Sequence, residues 1–155
     1  MGVAGAGKTT IGRGLAAELG WPFYDADDLH PRANVEKMRR GVPLTDEDRR
    51  PWLAALRALV AGCLARDENA VLACSALKAS YREYLLLDER VKLVYLKGDY
   101  ELIQARLRAR HDHFMPPEML ASQFATLEEP AEALQIDVAL PLAQNIELIR
   151  NRLGI

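Results

Sequence analysis

Apolar residues along the chain switch repeatedly between two spacings. Ile11, Leu15 and Leu19 lie four residues apart, which is the period of one helical face, and Gly20 follows as a stop signal. Residues 70–74 are instead a continuous apolar run of strand length. The same criteria predict strands at residues 22–24, 70–74, 91–96 and 135–140, and helices at residues 11–19, 34–40, 51–65, 81–87, 100–110, 118–127 and 141–153.

Strands that alternate with helices predict parallel pairing with right-handed crossovers, and therefore a doubly wound α/β sheet. The 155 residues suit one domain. Ligands of such sheets bind at the carboxyl ends of the strands. Residues 2–9, 25–28 and 74–75 all fall at such ends, so we expect them to converge on one site.

Residues 2–9, GVAGAGKT, match the phosphate-binding loop pattern G-x-x-x-x-G-K-[ST] at every defining position. Glycines let backbone N–H groups turn inward around phosphate oxygens. Lys8 can reach the β- and γ-phosphates, and the Thr9 hydroxyl can bind Mg²⁺. The following helix directs its positive end at the same oxygens. The predicted nucleotide-binding residues are Gly2, Val3, Ala4, Gly5, Ala6, Gly7, Lys8, Thr9 and Thr10.

A loop of this kind follows a buried strand of about five or six residues, and here only Met1 precedes it. We expect that the first strand precedes Met1 in the native protein, or that the loop is anchored in an unusual way.

Composition limits the function classes. Net charge is −2, so no global field attracts nucleic acid or an anionic membrane, and neither is an expected partner. No apolar run reaches the roughly 18 residues of a membrane span. Cys63 and Cys74 lack metal-site spacing and are most simply reduced thiols of a cytoplasmic protein.

Asp25, Asp27 and Asp28 follow the second strand of the expected sheet. Carboxylates there can hold Mg²⁺ through water or accept the proton of a substrate hydroxyl. The alternative is that they form Asx turns and a helix cap. No acidic residue follows the strand at residues 70–74, so the metal site is predicted to depend on Thr9 and Asp25 together with phosphates and water.

Residues 30–52 are dense in both signs of charge, which is typical of a solvated helical hairpin with surface ion pairs. Arg49 is the exception that we single out, because a guanidinium can bind a carboxylate through two parallel hydrogen bonds and so suits an acidic substrate. Arg82 is a second candidate for binding an anion.

Arg106 and Arg110 share one helical face beside residues 111–117, HDHFMPP. Arginines there can close over the transferring phosphoryl group and stabilise its charge. The alternative is a surface helix with solvated arginines. His111 and His113 lack a third metal ligand at useful spacing.

The chain resembles the small phosphate-loop gluconokinase family, related to shikimate kinase and the nucleoside monophosphate kinases. The resemblance runs from Gly2 to Pro130, most of the chain. The stretch YDADDLHPRANVEKMRRGVPLTDEDRRPWL is more specific to this family than the phosphate-binding loop. The other matching stretches are GVAGAGKTT, CSALKASYREYL, VYLKGDYELIQARLRARHDHFMPPEML and SQFATLEEP.

This resemblance implies transfer of the ATP γ-phosphoryl to the 6-hydroxyl of D-gluconate with Mg²⁺, giving 6-phosphogluconate for carbohydrate catabolism. It also implies a five-stranded parallel sheet, a substrate-binding segment at about residues 30–52, a lid at about residues 106–120, and a homodimer. By resemblance to shikimate kinase, Asp27 would orient or deprotonate the hydroxyl, and Asp25 would lie nearer Mg²⁺. Sugar-acid binding is assigned to Asp27, His30, Arg49, Ser75, Arg82 and His113, and catalysis to Lys8, Asp27, Arg106 and Arg110.

Two departures from the family pattern stand out: Ala4 and Ala6 replace frequent serines, and the first strand is missing. Three other functions remain open. A kinase of another small anionic acceptor is disfavoured by residues 30–52. A non-catalytic nucleotide switch of the guanine type would carry an N-K-x-D motif, which the sequence lacks. A nucleic-acid-binding module is disfavoured by the charge balance.

Overall fold

The computed structural model describes residues 1–109 and 119–155. Within these residues no helix combines the length and apolar character needed to cross a membrane. A short 3₁₀ helix, Ala26–Leu29, follows the first strand directly. Helices α1 to α7 span Lys8–Leu19, Arg32–Arg39, Asp46–Ala65, Ala79–Leu85, Tyr100–Arg108, Leu120–Thr126 and Leu142–Leu153, and strands β1 to β4 span Phe23–Asp25, Val71–Ala73, Val94–Lys97 and Leu134–Asp137.

The described strands form two parallel pairs, β1 with β2 and β3 with β4. Met1 and Gly2 lie between the pairs. The carbonyl of Met1 accepts a hydrogen bond from the Leu96 N–H at 2.9 Å, and the Gly2 N–H donates to the Ser75 carbonyl at 3.2 Å. The spatial order is therefore β1, β2, residues 1–2, β3, β4. The predicted parallel α/β fold is confirmed, with residues 1–2 where the resemblance implies a central fifth strand.

Two apolar clusters form the core of the described chain. One joins α1, α5 and α7 to β3 and β4, with Ile103 and Ile149 fully buried. The other joins α3 and α4 through Trp52, Leu56 and Tyr81. Met1 packs against both clusters. The two clusters contain different helices, and the strands lie between them, as a doubly wound sheet requires.

The phosphate-binding loop lies tightly against α5. Gly5 has φ 82°, and a Cβ there would lie 2.8 Å from Leu107 Cγ, so both the backbone conformation and the space demand glycine. Gly7 has φ 89° and is the residue from which α1 begins. The loop consequently ends by directing the first N–H groups of α1 toward the strand ends.

Helix α3 begins earlier than the sequence prediction. Thr45 is its N-cap and forms a reciprocal capping box with Asp48, so the helix starts at Asp46 and Pro51 lies inside it. The prediction of a start at Pro51 was therefore wrong, because the Thr-x-x-Asp signal outweighs the preference of proline for a first position. The N-cap residue of α5 is Asp99, whose side chain makes no capping hydrogen bond.

Buried Asn34 ties α2 to α3. Its amide Nδ2 donates to the Asp48 backbone carbonyl at 2.7 Å, and the side chain is only 4% exposed. Lys37 reinforces the contact by donating to both Asp48 carboxylate oxygens, at 2.8 and 2.9 Å. These bonds fix the hairpin formed by residues 30–52.

Replacing Asn34 with Ala should lower the free energy of unfolding by about 1–3 kcal/mol, because the buried Asn34 side chain and its hydrogen bond to the Asp48 carbonyl are lost. Lys37→Ala is the matched control. It should lower the free energy of unfolding by less, because its ion pair is more exposed to solvent. Chemical denaturation of both variants measures the difference. An Asn34→Ala variant no less stable than the Lys37→Ala variant would contradict this role.

Candidate active site

A cleft of about 110 Å³ opens where β1 and β2 end. Its walls come from the phosphate-binding loop, the 3₁₀ helix, the hairpin of α2 and α3, the loop after β2, and α6. Of the residues predicted for substrate binding, the structure brings Asp27, His30, Arg49 and Ser75 together on these walls. They share the cleft with Lys8.

The phosphate-binding loop contributes unequally to the cleft. Lys8 lines it and donates from Nζ to the Val3 carbonyl at 3.0 Å, so the cation is held across its own loop. Gly2 and Val3 anchor the loop instead: the Gly2 N–H is bonded to Ser75, and Val3 is 3% exposed in the core. Ala4, Gly5, Gly7, Thr9 and Thr10 complete the part of the loop that faces the cleft.

Asp25 connects the loop helix to the end of β1. Its Oδ2 accepts a hydrogen bond from the Thr9 hydroxyl at 2.8 Å. Its Oδ1 accepts from the Asp27 backbone N–H at 3.1 Å, which is the Asx turn that the sequence offered as the alternative. The Asp25 carboxylate therefore holds the turn with one oxygen and places the other oxygen against the Thr9 hydroxyl.

The Thr9 and Asp25 pair fits Mg²⁺, which prefers hard oxygen ligands and usually takes one or two carboxylates beside substrate phosphates. The described residues contain no cluster of three or more His, Cys, Asp or Glu side chains suited to a metal. A magnesium ion here would therefore depend on phosphate and water for its remaining ligands.

Asp27 sits on the cleft wall beside Lys8. Although Asp27 as a whole residue is exposed, partial burial of its carboxyl raises its pKa, Lys8 opposes that rise, and the negative charges of Asp25 and Asp28 add to it. A carboxylate with a raised pKa is a better proton acceptor than one with an ordinary pKa. The arrangement therefore suits the proton of a substrate hydroxyl.

His30 stacks on Trp52 with ring centroids 4.5 Å apart and planes 6° from parallel. Burial, with the nearby Arg49 charge as a second cause, lowers its pKa to about 4, so the ring is neutral at neutral pH. Asn34 Nδ2, fixed by its bond to Asp48, lies 3.4 Å from His30 Nδ1. An amide nitrogen can only donate, so Nδ1 accepts and the ring proton resides on Nε2.

Arg49 reaches the cleft from the first turns of α3. Its Nη1 donates to the Leu44 carbonyl at 2.6 Å, and its guanidinium lies 5.9 Å from the centre of the Tyr81 ring. Asp46 is 3.9 Å away, but that carboxylate is bound at 2.6 Å by Lys78 and also accepts from the Tyr81 hydroxyl. The Arg49 charge is therefore positioned by the protein while only weakly paired with Asp46.

Two other predicted arginines lie elsewhere in the structure. Arg82 is 8% exposed and donates to the carbonyls of Ala76 and Leu77, so it holds the loop after β2. Arg106 donates to the Val138 carbonyl at 2.7 Å. Neither lines the cleft as described. Arg110, His113 and most of the predicted lid at residues 106–120 lie outside the described residues.

Sequence reasoning missed the contribution of α6. Met119, Ser122, Gln123 and Thr126 line the cleft, and Gln123 Oε1 accepts the Ala4 N–H at 2.7 Å. Their spacing of three, four and seven residues marks a single helical face with an unusual share of polar side chains. That periodicity was the available signal. Tyr81 and Trp52 were missed because aromatic residues at helical spacing are usually core residues.

Comparison with known proteins assigns the family. Residues 4–134 match the shikimate kinase family. The chain is 42% identical to the thermoresistant gluconokinase of Escherichia coli K12, covering 97% of this chain and 91% of that protein, and 50% identical to the gluconokinase of Gluconobacter oxydans 621H, covering 85% and 75%.

The fold agrees with these sequence relationships. The crystal structure of a gluconokinase from Sinorhizobium meliloti 1021 superposes with a TM-score of 0.88 at 41% identity, covering 99% of this chain and 89% of that one. The backbone fold is thus shared along nearly the whole chain. The protein is a phosphate-loop kinase and belongs to the gluconokinase family, within the shikimate kinase group of domains.

Proposed function

We propose that the protein transfers the γ-phosphoryl of ATP to the 6-hydroxyl of D-gluconate, giving 6-phosphogluconate and ADP. The observation that carries this proposal is one cleft holding three kinds of group: a phosphate-binding loop, the carboxylate of Asp27, and the guanidinium of Arg49. A sugar acid offers a hydroxyl at one end and a carboxylate at the other, which matches a proton acceptor and a cation on the same cleft.

At the nucleotide side, the loop N–H groups and the start of α1 bind phosphate oxygens, and Lys8 exchanges its Val3 carbonyl for them. Thr9 and Asp25 would hold Mg²⁺, which neutralises phosphate charge when bound. Transfer passes through a loose transition state, so these residues act mainly by positioning and charge stabilisation.

At the acceptor side, Asp27 orients the attacking hydroxyl and accepts its proton. The raised pKa favours that acceptance, and proximity to Lys8 keeps the hydroxyl beside the phosphate site. Neutral His30 donates from Nε2 to a substrate hydroxyl, and Ser75 adds a hydroxyl to the lining of the same cleft. Arg49 binds the carboxylate through two parallel hydrogen bonds.

The remaining features of the proposal follow the family. We infer one kinase domain, with residues 30–52 binding the acceptor and residues 106–120 acting as the lid that carries Arg110 and His113. We also infer a homodimer in the cytoplasm. Buried thiols at Cys63 and Cys74 are compatible with a reducing compartment, since burial raises the Cys74 pKa to about 11 and makes that thiol unreactive.

A panel of acceptors tests the reaction. ADP release should be fast with D-gluconate and near background with shikimate, with nucleoside monophosphates and with sorbitol. Sorbitol is the sharpest control, because it keeps the row of hydroxyls and lacks the carboxylate that Arg49 would bind. Turnover of shikimate above gluconate, or equal turnover of sorbitol, would contradict the assignment.

Asp27→Asn should lower kcat by about a hundredfold, because an amide cannot accept the proton, while ATP affinity stays within about threefold. Asp28→Asn is the matched control, since Asp28 is next in the chain but does not line the described cleft. Steady-state kinetics and calorimetric titration with ATP measure the two effects. Equal rates for the Asp27→Asn variant and the wild type would make Asp27 a turn residue only.

The Asp27 pKa also predicts the sign of the pH effects. The folded pKa lies above the unfolded value, so Asp27 favours the fold at low pH and opposes it once pH rises through the folded pKa. Asp27→Asn should therefore melt at the same temperature as the wild type or higher at pH 7. The wild-type rate should rise as pH increases through that pKa. The residual rate of the Asp27→Asn variant should not show this rise.

Arg49→Lys should raise the gluconate KM about tenfold with little change in kcat, since a single ammonium cannot reproduce the two-point contact of a guanidinium. Arg50→Lys is the matched control, because Arg50 is exposed and pairs with exposed Glu47 at 3.1 Å. An unchanged gluconate KM in the Arg49→Lys variant would show that Arg49 binds only the Leu44 carbonyl and does not bind the substrate.

A further inference from the structure

Gln123 makes a contact that joins α6 to the phosphate-binding loop. Its side-chain Oε1 accepts the backbone N–H of Ala4 at 2.7 Å across 119 residues of chain. Both residues also line the cleft. A short bond between a helix side chain and a loop N–H indicates that the loop conformation and the position of α6 depend on each other.

The loop has few bonds of its own. The Ala6 N–H reaches the Val3 carbonyl at 3.3 Å, and Gly5 and Gly7 occupy positive φ, where glycine has much conformational freedom. Ala4 is 6% exposed, so an N–H left without its partner there would be penalised. Gln123 therefore supplies a bond that the loop does not supply for itself.

The far end of α6 is fixed to the acceptor side of the cleft. The Glu128 N–H donates to the Leu77 carbonyl at 2.9 Å, and Glu128 Oε2 accepts from the Ala79 N–H at 2.6 Å. Leu77 lines the cleft, and it is followed by Lys78, the N-cap residue of α4. Residues 123–128 thus span from the nucleotide loop to the loop after β2.

We propose that Gln123 is a positioning residue for the phosphate-binding loop: its carboxamide holds the Ala4 N–H, fixes the loop in the shape that receives nucleotide, and ties α6 across the cleft. The inference rests on the nucleotide-binding part of the proposed function and not on the identity of the acceptor. Without Gln123, the loop must be ordered when the nucleotide binds. The free energy needed to order the loop then weakens nucleotide binding.

Two variants of Gln123 separate positioning from packing. Gln123→Met keeps the length and removes the acceptor, while Gln123→Glu keeps the acceptor and adds a negative charge beside the phosphate site. Gln104→Met is the control, since Gln104 is a glutamine on α5 that contacts Tyr100 outside the described cleft. The readouts are the Kd for ATP and for ADP by calorimetry without any acceptor, the melting temperature, and the gluconate KM.

The Gln123→Met variant should bind ATP about tenfold more weakly, with its gluconate KM within about twofold of wild type. The Gln123→Glu variant should recover the melting temperature and still bind ATP weakly, because its charge repels phosphate. The Gln104→Met variant should match the wild type. Should the Gln123→Met variant prove unstable, calorimetry at a temperature where it is still folded keeps the comparison with the Gln104→Met variant.

Two results would overturn the inference. One is ATP affinity within twofold of wild type in the Gln123→Met variant. The other is a Gln123→Met variant whose gluconate KM rises as much as its Kd for ATP, which would show a general loss of cleft structure and not a loss of loop positioning. Weakened ATP binding in an enzyme that does not phosphorylate gluconate would support the role of Gln123 and reject the proposed acceptor.

Discussion

The cleft depends on a narrow bridge of main chain between two pairs of strands. Met1 and Gly2 are the residues that bond to both, through the Leu96 N–H on one side and the Ser75 carbonyl on the other. The phosphate-binding loop starts from this bridge, so the bridge places the loop at the carboxyl ends of the strands. Because Asp25 ends β1 and Ser75 follows β2, the same geometry brings Asp25 and Ser75 to the phosphate-binding loop.

A second layer of positioning comes from the hairpin of α2 and α3. The Trp52 indole donates to the buried Ala26 carbonyl at 2.7 Å, which fixes α3 to the turn that presents Asp27. His30 lies flat on the same indole, and Asn34 sets its tautomer. A charge-rich segment that looks solvated in sequence is therefore organised by a few buried polar bonds, and this lets Arg49 face the cleft with its charge weakly paired.

The predicted fold and the predicted convergence of the phosphate-binding loop with Asp27 and Ser75 agree with the structure, because a phosphate-binding loop and alternating helix and strand patterns are local signals. The start of α3 was mispredicted although its Thr45 and Asp48 signal is local too. Arg82 and Arg106 look like anion-binding residues in sequence, but their partners are backbone carbonyls, and such contacts follow only from the packed fold. The polar face of α6 was visible in the sequence, but the partner of Gln123 was not, since Ala4 lies 119 residues away.

In the proposed reaction, the cleft delivers the γ-phosphoryl to the hydroxyl farthest from the substrate carboxylate. Carbon-13 NMR of the product formed from ATP and uniformly labelled D-gluconate tests it most directly, because phosphorus splits the signal of the carbon that bears the ester. We predict phosphorus coupling at C6 and its neighbour C5. Coupling centred on any other carbon, or no phosphorylated sugar acid at all, would contradict the account.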